Sequence, residues 1–538
     1  MNISSILLDF AKDNKKYIIL YIIFTILAYP LEAIALPQIY SKVFTDINNI
    51  FKYLIPIFII LLIVYTSYSI ISYIDSLLIP KFNTYLLSYV YQNILYKHKN
   101  NYTDIELGKL STNLTTLPTV IRELTINIFI TSLPKIICIV VINLYFFYIS
   151  WKLGLLSTLS LIILCIVNKS YFFKCKIISK NRYHSYEKTI ELVQNKLSNL
   201  FSIYSNGKIE DEIEVFRESV GEYENFFKDN LDCVYKNKFA NYFILLLLFI
   251  VLNLFIIYLY RQKRISLNVL IALFITILYY ISCFNSIFTN IKDFIHNVGI
   301  LEETDNFIKE LNDTHHSQKR KYQPSNIMSG DITIKSLNFS YNNKVIFNDF
   351  NLDIKDKDKV AIIGHSGLGK STLFKLITGY YKVDDNMIYI NGKDVNSYDL
   401  DDLRRKISYV NQNNQLFNGT VLHNIQYGNN LSYDDILKVI KDIGLTDIFK
   451  NLSDGLYTNV GVSGNKLSGG QKQMIHILRC FGKNNKIILL DEPTTSLDKN
   501  NKKIILNAIK ELSKNSTMII ITHDNELLNY VDKVYTIK

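Results

Sequence analysis

The alternation of apolar and polar positions divides the chain in two. Before residue 300, six apolar stretches of ~20 residues are each long enough to cross the hydrocarbon of a bilayer. They cover about 17–36 (interrupted by Pro30 and Glu32), 53–79, 128–149, 153–173, 239–260 and 267–291. Only Ser150, Trp151 and Lys152 separate the third from the fourth, which forces an antiparallel pair, and another short turn joins the fifth to the sixth. Two long polar segments, 80–127 and 174–238, keep helical apolar spacing beyond the spans, which predicts helices projecting far into water. From Gly330 onward short strand-like runs alternate with helical ones, an α/β pattern. The expected organisation is an α-helical six-span membrane domain over 1–310, a linker over 311–329 and an α/β domain over 330–538.

Composition adds topology. The net charge of +11 combines 32 Lys+Arg against 25 Asp+Glu before Gly330 with 27 against 23 after it. No dense basic stripe is present, so nucleic acid is not an expected partner, and lipid headgroups account better for the excess. The two polar segments hold 5 and 11 Lys+Arg, against 6 in the three short opposite loops. That bias puts both segments and both termini on the cytoplasmic side of the cell membrane, although Arg261, Lys263 and Arg264 run against it. The first sixteen residues lack a small-residue cleavage site and read as a cytosolic tail, with no room for a peptidase domain before the first span. The six Cys (138, 165, 175, 233, 283 and 480) show no C-x-x-C spacing; they read as small buried hydrophobes, neither a disulfide framework nor a zinc site. His315 and His316, on a polar linker without acidic company, read as solvated. Glu32, Asp75 and Lys135 lie within or beside spans, where a lone charge is costly. Two readings stay open: Glu32 and Asp75 as anionic contacts of a cavity for a cationic peptide or amphiphile, or snorkelling and structural pairing.

The chemistry concentrates in the last 210 residues. Gly364-His365-Ser366-Gly367-Leu368-Gly369-Lys370-Ser371-Thr372 fits G-x-x-x-x-G-K-[ST], with an apolar run (Val360 to Ile363) before it and a helical one after it. Glycines let the backbone wrap phosphates and the helix N-terminus points N–H groups at them. Lys370 would reach the β- and γ-phosphates, and the Ser371 hydroxyl would hold Mg²⁺. A second apolar run ends in Asp491 and Glu492; the first can orient a metal shell, the second can polarise an attacking water. Leu467-Ser468-Gly469-Gly470-Gln471 opens a further helix, hence a second anion site. One nucleotide has no use for two such sites in one domain. Two copies face to face do: Ser468 and Gly470 of one would meet the γ-phosphate held by Lys370 of the other.

On these motifs the chain resembles the ATP-binding cassette transporter family, in its exporter half-transporter arrangement. The resemblance implies ATP and Mg²⁺ as cofactors, ATP hydrolysis coupled to transport, and a dimer with itself or a related half-transporter. It assigns Tyr341 to stacking on adenine, Gln412 to sensing Mg²⁺ and water, Ser496-Leu497-Asp498 to the loop between cassettes, and His523 to the γ-phosphate. Taken singly, Tyr341 reads more readily as a core aromatic and His523 as a satisfied histidine; the assignment comes from the motifs in their order. The resemblance also implies that the tips near 101–108 and 202–211 dock on the cassettes close to Gln412. Three departures stand out: Thr458-Asn459-Val460-Gly461-Val462 lacks the customary acid after Val-Gly, Met474 replaces the customary arginine, and Lys538 precedes the customary final helices. The expected solute is a small peptide or amphiphilic compound. Lipid flipping and an obligate heterodimer remain alternatives. A soluble cassette ATPase acting on nucleic acid conflicts with the six spans, and a sensor with dead ATPase sites conflicts with Glu492 and His523.

Overall fold

The structure, a computed structural model, describes residues 3–99, 107–304, 309, 327, 329–341, 344–411, 415–483, 485–495, 497 and 499–537. Outside them lie Gln412, Ser496, Asp498, the loop tip at 101–106 and nearly all of the expected linker, His315 and His316 included. The chain divides into two compact units, 1–95 with 105–316, and 96–104 with 317–538.

The first unit is helical: α1 (Ile3–Asp13), α2 (Lys15–Pro30), α3 (Leu36–Thr45), α4 (Ile50–Lys97), α5 (Leu107–Thr125), α6 (Leu133–Ile149), α7 (Trp151–Ser198), α8 (Leu200–Ser205), α9 (Ile209–Arg261) and α10 (Leu267–Glu303). Among the described residues six segments are long and apolar enough to cross a membrane: Lys15–Thr45, Ile50–Lys97, Thr112–Ile149, Trp151–Ser198, Ile209–Arg261 and Leu267–Glu303. The 48 residues of α4 and of α7 make rods of about 72 Å, more than twice the ~30 Å hydrocarbon thickness. The expected projecting helices are therefore present. Only Ser150, extended at φ −159°, separates α6 from α7.

Among the described residues two helices contain a π turn, at Leu31–Ala35 and Ile126–Ser132. Each runs into a helix whose second residue is proline, Pro37 in α3 and Pro134 in α6. Proline has no N–H for the carbonyl four residues back, and the wider turn accommodates that missing bond. The sequence reading took Pro30 and Glu32 as an interruption of the first span; the chain instead stays helical through both.

Several polar groups inside the bundle pair with one another, as a medium without water favours. The Asn168 amide on α7 and the Asn241 amide on α9 donate to each other's oxygens, both at 2.9 Å. Asn241→Leu leaves Asn168 without this match and is expected to lower stability by about 1–2 kcal/mol, read as an earlier unfolding transition in detergent. Glu32 accepts from the hydroxyls of Tyr68 and, at 2.9 Å, Tyr279, while the Lys135 ammonium stands 4.7 Å from the Tyr29 ring centroid. Both charges are thus absorbed inside the bundle. One expectation fails: Cys175 and Cys233 form a disulfide between α7 and α9, 58 residues apart in sequence. Two antiparallel helices bring them together, and no local spacing announces such a pair. Cys138, Cys283 and Cys480 are free and buried, and Cys165 is free and exposed.

Among the described residues the second unit holds two sheets. Strands β1 (Ile332–Tyr341), β2 (Lys344–Ile354), β4 (Ile388–Ile390) and β5 (Lys393–Asp394) form an antiparallel sheet ordered β2-β1-β4-β5. Strands β3 (Lys359–Ile363), β6 (Ile407–Val410), β7 (Ile487–Asp491), β8 (Thr517–Ile521) and β9 (Lys533–Thr536) form a parallel sheet ordered β6-β7-β8-β3-β9. Strands β7 and β8 are buried along their whole length, which is why they read as unbroken apolar runs. The helices are α11 (Lys370–Ile377), α12 (Leu400–Lys406), α13 (Val421–Gln426), α14 (Tyr433–Asp442), α15 (Thr446–Lys450), α16 (Gly469–Phe481), α17 (Lys499–Ser513) and α18 (Asn525–Leu528). In a parallel sheet of this kind ligands bind beyond the carboxyl ends of the strands. There the β3, β7 and β8 ends carry the glycine-rich loop, the Asp491-Glu492 pair and His523.

Candidate nucleotide-binding site

The loop after β3 is built by backbone geometry that side chains resist. Gly364 has φ +153° and a Cβ there would stand 2.5 Å from the Ile537 carbonyl oxygen; Gly369 has φ +86° and would meet Ile346 Cγ2 at 2.3 Å. Gly369 precedes α11, so the free N–H groups of the helix start face the loop. Inside the loop the buried Lys370 donates from Nζ to the carbonyls of Gly364 (2.6 Å) and His365 (2.9 Å). His365, Ser366, Gly367 and Ser371 are exposed, Leu368 packs on the core beneath, and Thr372 is half-buried.

Asp491 closes β7 and is buried. Burial pushes its carboxyl above the usual range; the Ser371 hydroxyl opposes this and the neighbouring Glu492 adds to it. A buried carboxylate beside a hydroxyl, both hard oxygen donors, suits a small divalent cation, so the residues fit Mg²⁺. Glu492 sits in the left-handed region at φ +53°, held there by its N–H donating to the Ile521 carbonyl (2.9 Å). This backbone turns its carboxylate toward two partners: Oε2 accepts from Thr495 Oγ1 (2.8 Å) and Oε1 stands 3.6 Å from His523 Nε2. Sequence reasoning missed the frame behind them. Thr494 Oγ1 (2.9 Å) and Lys502 Nζ (2.9 Å) both donate to Asp524, which also caps α18, so the loops after β7 and β8 are tied together. The order Asp524-Asn525-Glu526 carries a helix-cap signal that could have revealed this. The Tyr409 hydroxyl, buried beside Asp491, is pushed well above its ordinary value first by burial and then by that carboxylate.

Tyr341 ends β1 with its ring 6.0 Å from that of Tyr381, in the segment after α11. Ser468 caps α16: its Oγ accepts from the Gln471 N–H (3.2 Å), and the Gln471 side chain accepts from the Ser468 N–H (2.9 Å). Ser468 and Gly469 are exposed, whereas Gly470 is buried against Leu497. Among the described residues no hydrogen bond or ion pair joins this motif to Lys370, Asp491 or Glu492. Met474 is 1% exposed within an apolar cluster, so the side chain in the arginine's customary place is a core residue. Val462, where the acid is customary, is exposed.

A clamp at the far end of α11 was not foreseen. Arg404 on α12 donates to the carbonyls of Thr378 (3.0 Å), Gly379 (2.9 Å) and Lys99 (2.7 Å), and it lies 4.4 Å from the Tyr380 ring. Lys99, which clusters with this unit, pairs with Asp401 at 2.7 Å. Arg404→Ala removes a charged donor from three carbonyls and is expected to cost about 3 kcal/mol, seen as a lower unfolding temperature of the cassette.

Comparison with known proteins gives three results. A family model described as "ABC transporter transmembrane region" matches residues 17–283, and one described as "ABC transporter" matches 347–495. Among curated proteins, an "ATP-dependent lipid A-core flippase" of Francisella novicida is 35% identical over 209 residues, 38% of this chain and 35% of that one. A "putative multidrug export ATP-binding/permease protein" of Staphylococcus aureus is 40% identical over 219 residues, 40% of this chain and 38% of that one. The chain spans about a third of the length of the curated relatives it matches. A solved "bacterial Atm1-family ABC exporter with ATP bound" shares the fold at a TM-score of 0.76 and 20% identity, covering 97% of this chain and 93% of the other.

Proposed function

Because the chain belongs to the ATP-binding cassette transporter family, we propose that it is one half of a dimeric, ATP-driven exporter of a peptide or amphiphilic compound. The observation that carries this is the convergence of Lys370, Asp491, Glu492 and His523 at the ends of the three adjacent strands β3, β8 and β7. Lys370 and the start of α11 bind the β- and γ-phosphates. Ser371 and Asp491 hold Mg²⁺, which when bound neutralises charge on those phosphate oxygens. Glu492 takes the proton of the attacking water, and His523 fixes that carboxylate while meeting the γ-phosphate. Tyr341 stacks on adenine, and Gln412 completes the metal and water contacts.

The exposed Ser468-Gly469 edge of the partner cassette closes over the γ-phosphate, so ATP bridges two chains and ADP does not. Closure pulls on Arg404 and Lys99, and Lys99 follows α4 in the chain. The cassettes and both termini then lie on the cytoplasmic side. A solute with an apolar body accords with relatives named for a lipid flippase and for multidrug export. The test is ATP turnover by the purified chain reconstituted alone in lipid vesicles, with and without added peptides and amphiphiles. Turnover raised by a solute supports the reading. No turnover by the lone chain, with turnover restored by a second half-transporter, replaces the homodimer with a heterodimer. No turnover in any pairing refutes it.

A further inference from the structure

A cavity of about 290 Å³ lies inside the first unit, walled by α1, α2, α4, α5 and the π turn at Ile126–Ser132. Its walls are hydrocarbon apart from a few groups: Phe10, Ile22, Phe82 and Phe129 are typical of them, and Asp75 and Arg122 are its two charged residues. These two are not equivalent. Arg122 already donates to Asn83 Oδ1 (2.9 Å) and Glu123 Oε1 (2.8 Å), neither of which lines the cavity. Asp75 is half-buried and has no hydrogen-bond or ion-pair partner among the described residues. Glu32, the other acid within the spans, is spent on Tyr68 and Tyr279. The one uncompensated charge facing this apolar space is therefore negative.

We propose that the cavity binds a lipophilic monocation, an alkyl or arylalkyl amine whose ammonium pairs with Asp75 and whose hydrocarbon fills the space toward Phe129. A carboxylate half-buried among apolar walls is costly unless it is paired, and an ammonium at contact offsets that cost while its tail packs against those walls. An anionic amphiphile would face Asp75 and find Arg122 already engaged. The volume is about twice that of a ~150 Å³ cavity that takes benzene, which suits a body on the order of ten carbons. The π turn adds a structural reason: such turns interrupt regular packing and recur at functional sites. The inference concerns binding, and it stands whether or not the amine is exported.

The experiment uses the full chain in nanodiscs of zwitterionic lipid and two photoreactive probes of equal length, a diazirine-bearing decylamine and the matching decanol, with labelled peptides mapped by mass spectrometry. The amine is expected to label the cavity walls about tenfold more than the alcohol, a ratio corresponding to ~1.4 kcal/mol, and excess unlabelled decylamine should compete it away. Asp75→Asn should bring that ratio to about one without changing labelling by the alcohol. Ala11→Phe, which fills the cavity from α1 with Asp75 intact, should suppress amine labelling. Equal labelling by both probes, or an amine preference that survives Asp75→Asn, overturns the proposal. If Asp75→Asn does not fold, Ala11→Phe decides: undiminished amine labelling there overturns it equally.

Discussion

Glu492→Gln is expected to slow ATP turnover by about 10²- to 10⁴-fold while leaving ATP binding intact, because it removes the group proposed to take a proton from water and leaves the glycine-rich loop untouched. The geometry makes this residue the one to test. Its backbone is in the left-handed region, its carboxylate is aimed by Thr495, and His523 lies 3.6 Å away. Glutamine keeps the size and still accepts from Thr495 through its amide oxygen, so loss of turnover cannot be ascribed to a collapsed loop. The variant should also accumulate as an ATP-bridged dimer, visible as a shift in size-exclusion chromatography with ATP and not with ADP. Near-normal hydrolysis by Glu492→Gln would remove Glu492 from the chemistry and return it to a turn-capping role.

Lys370→Ala should act one step earlier. Its ammonium is buried in the loop, already gathering the carbonyls of Gly364 and His365, and it is the cation proposed to meet phosphate. Losing charged hydrogen bonds to the phosphates is expected to weaken ATP binding by about 3 kcal/mol, roughly a hundredfold, and turnover should fall with it. A fluorescent ATP analogue titrated onto the detergent-solubilised chain separates the two variants: Glu492→Gln binds it normally, Lys370→Ala does not. Equal affinity in both would place the nucleotide elsewhere.

Much of this was legible in the residues, for a physical reason. A membrane span must satisfy its backbone internally and present hydrocarbon outward, so ~20 apolar residues announce it. A phosphate loop needs glycine at fixed offsets before a helix, so Gly364, Gly369 and Lys370 announce it as well. The strand ending in Asp491 was readable because both its faces are buried. What escaped depends on contacts distant in sequence. Cys175 meets Cys233 only because α7 and α9 run antiparallel, and Arg404 finds Lys99, Thr378 and Gly379 only once α11 and α12 are packed. From the sequence Glu32 reads as a solute contact or a structural pair, because Tyr68 and Tyr279, which hold it, lie 36 and 247 residues away. Tyr409, whose hydroxyl lies beside Asp491, belongs to no motif that announces it.

The π turns carry a lesson about register. A π turn amounts to one extra residue inserted into an α-helix, so everything downstream is rotated by about 100° relative to an uninterrupted helix. In α6 that rotation determines which side of the rod carries Cys138, Ile142 and Phe146, all of them buried. Deleting a single residue from Ile126–Ser132 would restore a plain α-helix and swing those three toward lipid. The length of that short stretch, more than the identity of its side chains, therefore sets the facing of the whole rod beyond it.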